Sequence, residues 1–263
     1  MGDTTRLLFL VLHLLCIVKV QASYYKSCPD SPNYTPPTEA FQQNLKRLLD
    51  SLSSKASAPG YYTSIGANAT DRVYGLVSCR EDVDREVCRT CVTDVIAQVV
   101  QLCPNKKEAF ISFQYCLLYY SGTNFFGTLS TNFVSVATNQ RDMPADPQQF
   151  MPQMTSFFNK LIAEATTNQP ARLFAAGNFQ YTDQVTVYAV VQCSADLTAQ
   201  DCSSCLIQAV AKIQACCANK QGARILSRPC YINVDQRGPQ HLQGKPKGSA
   251  PLHDRACPFN GLL

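Results

Sequence analysis

The chain has 263 residues, 46% of them hydrophobic, and a formal net charge of +4 at pH 7. A charge excess this small does not predict binding to nucleic acid. The length suggests one or two domains, and beyond residue 22 no stretch is long and apolar enough to predict a membrane span.

The N-terminus has the pattern of a secretory signal peptide, which we place at residues 1–22. Arg6 precedes an apolar run from Leu7 to Val18, and Val20-Gln21-Ala22 is a small-residue cleavage site. The run is shorter than the roughly 20 residues that a transmembrane helix needs; an uncleaved signal anchor is the alternative. Cleavage removes two basic residues, one acidic residue and Cys16, which leaves 241 residues, a net charge of +3 and 13 of the 14 cysteines.

The cysteines recur in two copies of one spacing pattern. Residues 79–91 read CREDVDREVCRTC and residues 193–205 read CSADLTAQDCSSC, and both copies extend to C-x8-C-x2-C-x11-C-x12-C. The first copy contains Cys79, Cys88, Cys91, Cys103 and Cys116, and the second contains Cys193, Cys202, Cys205, Cys217 and Cys230, each 114 residues later. Two copies of one unit predict a double domain rather than a solenoid.

Each copy has the same order of predicted elements. A helix with an apolar face comes first, with Phe41, Leu45, Leu48, Leu49 and Leu52 in copy one, and Phe150, Met154, Phe157, Phe158, Leu161 and Ile162 in copy two. A strand then ends at the first cysteine of the motif, a second helix contains the next two cysteines, and strands within 109–120 and 224–234 close the copies. Asp146 before Pro147, and Thr198 with Asp201, predict helix starts. Segment 132–138 either adds a strand or links the copies, and helices on one face of an antiparallel sheet make the fold class α+β.

The C-x2-C motif has three interpretations. On a helix, Cys88 and Cys91 share a face, so both can form disulfides to the sheet, as expected for a secreted protein. A zinc site is the second interpretation, but the two motifs are much farther apart than the pairs of a usual four-cysteine site. A redox-active pair is the third, although the order of elements differs from the βαβ context of a thioredoxin-like motif. We favour disulfides.

No catalytic residue, metal or cofactor is predicted. The three histidines are His13, in the signal peptide, and His241 and His253, outside both copies, so neither copy has a histidine to act as a general base. A carboxylate pair is not excluded, but we interpret Asp82 and Asp84 as a solvated helix N-terminus favoured by the helix dipole.

The predicted secretory route makes two sequons candidates for glycosylation. Asn33 and Asn68 each begin an N-x-T sequence, which predicts N-glycosylation in loops of the first copy.

Two copies of this pattern behind a signal peptide resemble the plant cysteine-rich repeat secretory proteins, whose unit is the ginkbilobin-like, or stress-antifungal, domain. NYTP at 33–36, DRVYGL at 71–76 and QLCPNKKEA at 101–109 resemble the first repeat of that family, and CCANKQGARIL at 216–226 resembles the second. The resemblance implies two helices packed on a five-stranded antiparallel sheet in each of two tandem disulfide-stapled domains. We place the domains at 23–127 and 141–235, with a linker or connecting strand at 128–140. Residues 236–263 lack apolar periodicity and predict a disordered, atypical tail.

The resemblance also implies a disulfide pattern. It joins Cys28 to Cys103, Cys79 to Cys88 and Cys91 to Cys116 in copy one, and Cys193 to Cys202 and Cys205 to Cys230 in copy two. Cys217 has no counterpart of Cys28, because no cysteine occurs between 117 and 192. Cys216 and Cys257 are its candidate partners, and an odd total leaves at least one thiol free or paired with another molecule.

Binding of mannose-type sugar, linked to antifungal action, is the activity that the resemblance implies. The polar positions of the family are an Asn just after its first cysteine, an Arg seven residues after its fifth and a Glu five residues after its sixth. Copy one has Pro29, Phe110 and Ser121 there, whereas copy two has Arg224 and Asp235 and, counted from its cysteines, no counterpart of the first position. Copy one should therefore not bind sugar in this way. Arg224 with Asp235 is either what is left of a sugar site or a cross-strand ion pair.

The sequence thus predicts a secreted, non-enzymatic binding module of the plant apoplast that acts in defence or stress response. Its partner would be an extracellular protein or a mannose-type glycan. The alternatives are a thiol–disulfide redox protein that uses the C-x2-C motifs and a structural cell-wall or receptor-associated protein.

Overall fold

In the computed structural model, the chain forms two units with the same order of elements. The first contains β1 (Tyr25–Ser27), α1 (Glu39–Ser54), β2 (Gly60–Ile65), β3 (Val73–Cys79), α2 (Arg85–Leu102), β4 (Glu108–Ser112) and β5 (Cys116–Ser121). The second contains β6 (Ser135–Thr138), α3 (Pro147–Ala163), β7 (Phe174–Thr182), β8 (Val185–Cys193), α4 (Ala199–Cys217), β9 (Gly222–Leu226) and β10 (Cys230–Asp235). A π-helical turn, Glu164–Asn168, follows α3.

The structure describes residues 24–29, 35–56, 60–130, 133–139, 141–142, 146–168, 170 and 172–236. The predicted signal peptide, Asn33, Cys257, the three histidines and the predicted tail from residue 237 onward lie outside these residues.

The two sheets have the same antiparallel topology. The strand order is β1-β4-β5-β3-β2 in the first sheet and β6-β9-β10-β8-β7 in the second. This confirms the predicted α+β class, with two helices on a five-stranded antiparallel sheet in each copy. Strand β6 lies within the range 128–140 that the sequence placed between the copies, and it is the edge strand of the second sheet.

Polar side chains begin all four of these helices. Thr38 and Asp84 accept hydrogen bonds from the backbone N–H groups of the first turns of α1 and α2. Asp146 and Thr198 do the same for α3 and α4, as their sequence patterns predicted. Each cap satisfies a backbone donor that has no partner within its helix, which defines where the helix begins.

The apolar faces of the helices pack against one face of each sheet. Leu48 of α1 and Val95 of α2 are fully buried in the first core, and Phe158 of α3 and Leu206 of α4 are fully buried in the second. Gly75 allows α1 to approach β3 closely, because a Cβ atom there would lie 2.6 Å from Leu48 Cδ2. The other face of each sheet points away from its helices.

In each copy, two disulfides join the second helix to the sheet. In the described part of the chain, the bonds are Cys28–Cys103, Cys79–Cys88, Cys91–Cys116, Cys193–Cys202, Cys205–Cys230 and Cys216–Cys217. The first five are the pairs that the family resemblance implied. Because Cys88 and Cys91 bond to β3 and β5 rather than to each other, the C-x2-C motif is a structural element here.

Two valines of α2 test the assignment of its buried face. Val95 is fully buried and Val100 is 55% exposed, so Val95→Ala should lower the free energy of unfolding by about 2 kcal/mol, through lost apolar burial and a residual cavity. The matched control, Val100→Ala, should change it by less than about 0.5 kcal/mol. Urea unfolding of both variants measures this, and equal losses would show that the face is assigned wrongly.

Candidate ligand-binding site

Where the two copies meet, the Gln192 side chain of copy two forms hydrogen bonds with the backbone of copy one. Gln192 Nε2 donates to the carbonyl oxygen of Cys79 at 2.7 Å, and Gln192 Oε1 accepts from the Glu81 N–H at 3.1 Å. The cavity beside this contact has a volume of about 40 Å³. That is room for water but not for a sugar ring, so this boundary is a structural contact.

A buried arginine fixes the segment that follows β5. The Arg228 guanidinium lies 5.1 Å from the centre of the Phe125 ring, 3.3 Å from Asp196 Oδ2, and also donates to the Thr128 carbonyl. Burial lowers the pKa of Arg228, and Asp196 partly offsets this effect. Asp196 also accepts from the Gly127 N–H at 3.0 Å, so copy two holds the connecting segment in place.

Replacing Gln192 tests the contact between the copies. Gln192→Ala leaves the Glu81 N–H and the Cys79 carbonyl without these partners in a buried place, which should cost about 1–3 kcal/mol of unfolding free energy. The exposed Gln42 of α1 provides the control, and Gln42→Ala should have almost no effect. Urea unfolding would contradict this role if the two variants were equally stable.

Strand register brings the two predicted ligand-binding residues onto one face of the second sheet. Arg224 of β9 pairs with Asn233 of β10, and Asp235 pairs with Gly222. The neighbours of Arg224 along β9, Ala223 and Ile225, point into the helix-covered core. Arg224 and Asp235 are therefore diagonal neighbours on the face that points away from the helices, which we call the outer face.

A third polar residue, Asn139, joins them at the end of β6. The Asn139 N–H donates to the Gly222 carbonyl at 3.0 Å, and Asn139 Nδ2 lies 3.0 Å from where a Cβ of Gly222 would be. Since Gly222 is two residues before Arg224, its missing side chain would also lie on the outer face. The absence of that side chain makes room for the Asn139 amide beside Arg224 and opposite Asp235.

Two buried polar atoms of this group have no hydrogen-bond partner in the described part of the chain. They are Arg224 Nε, a donor, and Asn139 Oδ1, an acceptor. A buried polar atom without a partner costs free energy, and such atoms are rare unless a water, ion or ligand meets them. Asn139, Arg224 and Asp235 are therefore the candidate site.

Copy one has a different surface at the equivalent place. Ser27 of β1 pairs with Phe110, and Ala137 of β6 pairs with Arg224, so Ser27 and Ala137 are equivalent. Two residues further along the chain, Pro29 of copy one and Asn139 of copy two are therefore equivalent as well. This corrects the expectation that copy two lacks a counterpart of the family's Asn. The ring of Phe110 lies 6.1 Å from Tyr25 and 6.3 Å from Tyr119, and aromatic rings fill the place that polar groups occupy in copy two.

Asn139 could not be identified in the sequence by counting from cysteines. The family's Asn follows its first cysteine, and copy two has no cysteine at the position equivalent to Cys28. Only the pairing of β6 with β9 brings Asn139 to the site. Of the two predicted sequons, Asn68 lies exposed in the turn between β2 and β3, where N-glycosylation remains a prediction.

Comparison with known proteins agrees with this architecture. The profile of the family described as salt stress response/antifungal matches residues 27–123 and 136–237. The chain belongs to this family. Cysteine-rich repeat secretory protein 55 of Arabidopsis thaliana is 31% identical over 86% of this chain and 87% of its own. The antimicrobial ginkbilobin-2-like protein of Castanea crenata is 32% identical over 86% of this chain and 93% of its own.

A solved structure shows the same tandem arrangement. The tandem DUF26 ectodomain of the Arabidopsis thaliana cysteine-rich receptor-like protein PDLP5 matches with a TM-score of 0.66 and 27% identity, covering 81% of this chain and 98% of that one. The fold of this family member is thus that of an extracellular ectodomain. Among its described residues, no helix has the length and apolarity to cross a membrane.

Proposed function

We propose that this family member is a secreted, non-enzymatic binding module of the plant apoplast, and that its second copy binds a mannose-type sugar on its outer face. The role would be in defence or stress response, which is the setting that the family description and the antimicrobial relative support. The observation that supports this proposal most directly is the pair of unpartnered atoms, Arg224 Nε and Asn139 Oδ1.

The chemistry of these groups matches a sugar. A sugar hydroxyl both donates and accepts, so one hydroxyl can accept from Arg224 Nε while a neighbouring hydroxyl donates to Asn139 Oδ1. The Asp235 carboxylate, on the same face, adds further acceptors. A ligand that hydrogen-bonds to both atoms removes the free-energy cost of leaving them without partners. The affinity should therefore depend on where the ligand's hydroxyl groups lie rather than on how much apolar area it buries.

Asp235 differs from the acid that the family resemblance implies. The family position holds Glu, and Asp is one methylene shorter, so its carboxylate reaches less far over the sheet. Diagonal neighbours in an antiparallel sheet are about 7–8 Å apart, and a longer side chain covers that distance more easily. We therefore infer that the second copy binds sugar less tightly than a site with Glu at this position would.

A titration of methyl α-mannoside into the secreted protein, followed by NMR or calorimetry, tests the proposal. Arg224→Ala should weaken binding by about tenfold or more, because it removes a charge-assisted donor. Asp235→Glu should strengthen binding. Arg47→Ala, which replaces an exposed arginine on α1, should leave it unchanged.

Two results would overturn the sugar proposal. One is no saturable binding of methyl α-mannoside by either the natural protein or the Asp235→Glu variant. The other is equal binding by the Arg224→Ala and Arg47→Ala variants. Thermal unfolding of each variant shows whether a loss of binding is a loss of folding, and Asp235→Glu gives a second readout that does not remove a side chain.

A protein partner is the second candidate, and the outer face of copy one favours it. Tyr62, on edge strand β2, is 41% exposed, and its ring lies 5.0 Å from the Phe126 ring. Tyr74 contacts the same ring at 5.5 Å. Exposed aromatic side chains are enriched at protein interfaces, so capture of an apoplastic protein that Tyr62→Ala abolishes, without an effect on sugar binding, would support this second role.

A further inference from the structure

Of the four edge strands that the structure describes, β7 is the longest. Within the described part of the chain, β8 pairs with one side of β7 and no strand pairs with the other. Its nine residues include no Lys, Arg, Asp, Glu or Pro. Edge strands usually contain such residues, which prevent pairing with other molecules. Strand β7 lacks this protection, although a register shift between Gln180 and Thr182 ends its regular part.

Every second residue of β7 directs its backbone groups away from β8. The Cys193 N–H donates to the Leu173 carbonyl at 2.9 Å, so these two residues form a hydrogen-bonded pair. Because hydrogen-bonded and non-hydrogen-bonded pairs alternate along an antiparallel ladder, the next residue and every second one after it turn their N–H and C=O groups to the open edge. These residues are Phe174, Ala176, Asn178 and Gln180. They present the row of donors and acceptors that another strand needs.

A cleft with a volume of about 360 Å³ follows this open edge. Five consecutive strand residues, 174–178, line it. Since neighbouring side chains of a strand point to opposite faces, a cleft that all five residues border lies beside the backbone rather than over one face of the sheet. The other wall is formed by the end of α3 and the turn after it, through Phe157, Lys160, Leu161 and Glu164.

The helix wall has one cation and one anion that complement a rotated copy of themselves. Lys160 is exposed, and Glu164 is half-buried, with its Oε2 accepting from Asn168 Nδ2 at 2.7 Å. Both side chains border the cleft and lie about one helical turn apart. A two-fold axis perpendicular to the sheet reverses the direction of the second helix, so Lys160 of each copy would lie opposite Glu164 of the other.

We propose that this edge binds a second copy of the chain, through antiparallel pairing of the two β7 strands. An axis at Ala176 would place Phe174 of each copy opposite Asn178 of the other, so that the outward backbone groups of both strands meet. No like charges would face each other along the paired strands, because β7 has no charged residue. The interface uses the same edge of both copies, so the assembly closes as a dimer.

An unrelated extended peptide could pair with the same backbone groups, but the charges of the cleft favour a second copy. Lys160 and Glu164 have opposite signs, so together they select neither an acidic nor a basic peptide, whereas two-fold pairing matches both. Arg172, which also lines the cleft, already pairs with Glu81 at 2.8 Å. The corresponding edge strand of copy one, β2, has six residues rather than nine, so the longer row of backbone groups is in copy two.

Dimerisation would bring two outer faces together, a consequence that rests on the proposed function. The axis perpendicular to the sheet keeps the helices of both copies on one side and the outer faces on the other. The two Arg224 sites would therefore point in the same direction, and two linked sites bind a multivalent glycan more tightly than one site does. The dimer itself does not depend on whether the outer face binds sugar.

Sedimentation velocity of the secreted protein at increasing concentration, with free thiols blocked, tests the proposal, and we expect a monomer–dimer equilibrium. Ala176→Pro removes an N–H that points to the open edge and no hydrogen bond to β8, so it should weaken dimerisation by about tenfold or more. The matched control is Ser64→Pro on the open edge of β2, where Ser64 pairs with Tyr74 as Asn178 pairs with Tyr188. This variant should dimerise as the natural protein does.

Charge reversal tests the orientation of the two copies. Lys160→Glu and Glu164→Lys should each weaken dimerisation by about tenfold, because like charges then face each other at two symmetric places. An equimolar mixture of these two variants should dimerise as the natural protein does, since opposite charges again face each other. Lys46→Glu, which changes an exposed residue of α1, should have no effect.

The proposal fails if the natural protein stays monomeric at its highest soluble concentration, if Ala176→Pro and Ser64→Pro dimerise equally, or if mixing the charge variants restores nothing. A dimer in which the backbone amides of Ala176 and Asn178 exchange hydrogen as fast as in the monomer would also overturn it, because its interface would lie elsewhere. A monomer that binds an extended peptide on β7 would show that the edge has another occupant.

Failure of the dimer is distinguishable from failure of the outer-face sugar site. Ala176→Pro should bind methyl α-mannoside as the natural protein does, because its substitution lies on the far edge of the sheet from β6. Thermal unfolding of each variant shows whether a loss of dimerisation is a loss of folding.

Discussion

The disulfides that join α2 and α4, the helices with the C-x2-C motifs, to their sheets are the constraint on which the rest of the structure depends. Cys88 and Cys91 share one face of α2, and they bond to Cys79 of β3 and Cys116 of β5, with sequence separations of 9 and 25 residues. Each such link lowers the entropy of the unfolded chain, which stabilises the folded state by about 3 kcal/mol. Copy two repeats both links with the same separations.

This constraint directs functional divergence to the surfaces away from the disulfides. The inner face of each sheet packs against the helices and contains the two links from the second helix, so both copies use it in the same way. The outer faces are free to differ, with Phe110 among aromatic rings in copy one and Arg224 with Asn139 in copy two. A duplicated domain can in this way keep one fold while its copies specialise for different partners.

Much of the fold was predictable because it depends on local patterns. The cysteine spacing revealed the duplication, and Asp146 and Thr198 marked helix starts through their own side chains. The candidate site was predictable only in part: Arg224 and Asp235 follow at fixed distances from cysteines, but Asn139 reaches them through pairing of β6 with β9.

The most direct test of the structural role of these disulfides is disulfide mapping of the secreted protein without reduction, with labelling of free thiols. We expect peptides that link Cys79 to Cys88 and Cys91 to Cys116, with the equivalent pairs in copy two and no label on these cysteines. Such a result would show that these cysteines stabilise the fold, and it would leave the proposed binding functions to the surfaces of the sheets. A bond between Cys88 and Cys91, or ready labelling of either thiol, would contradict it and would favour a redox role for the C-x2-C motif.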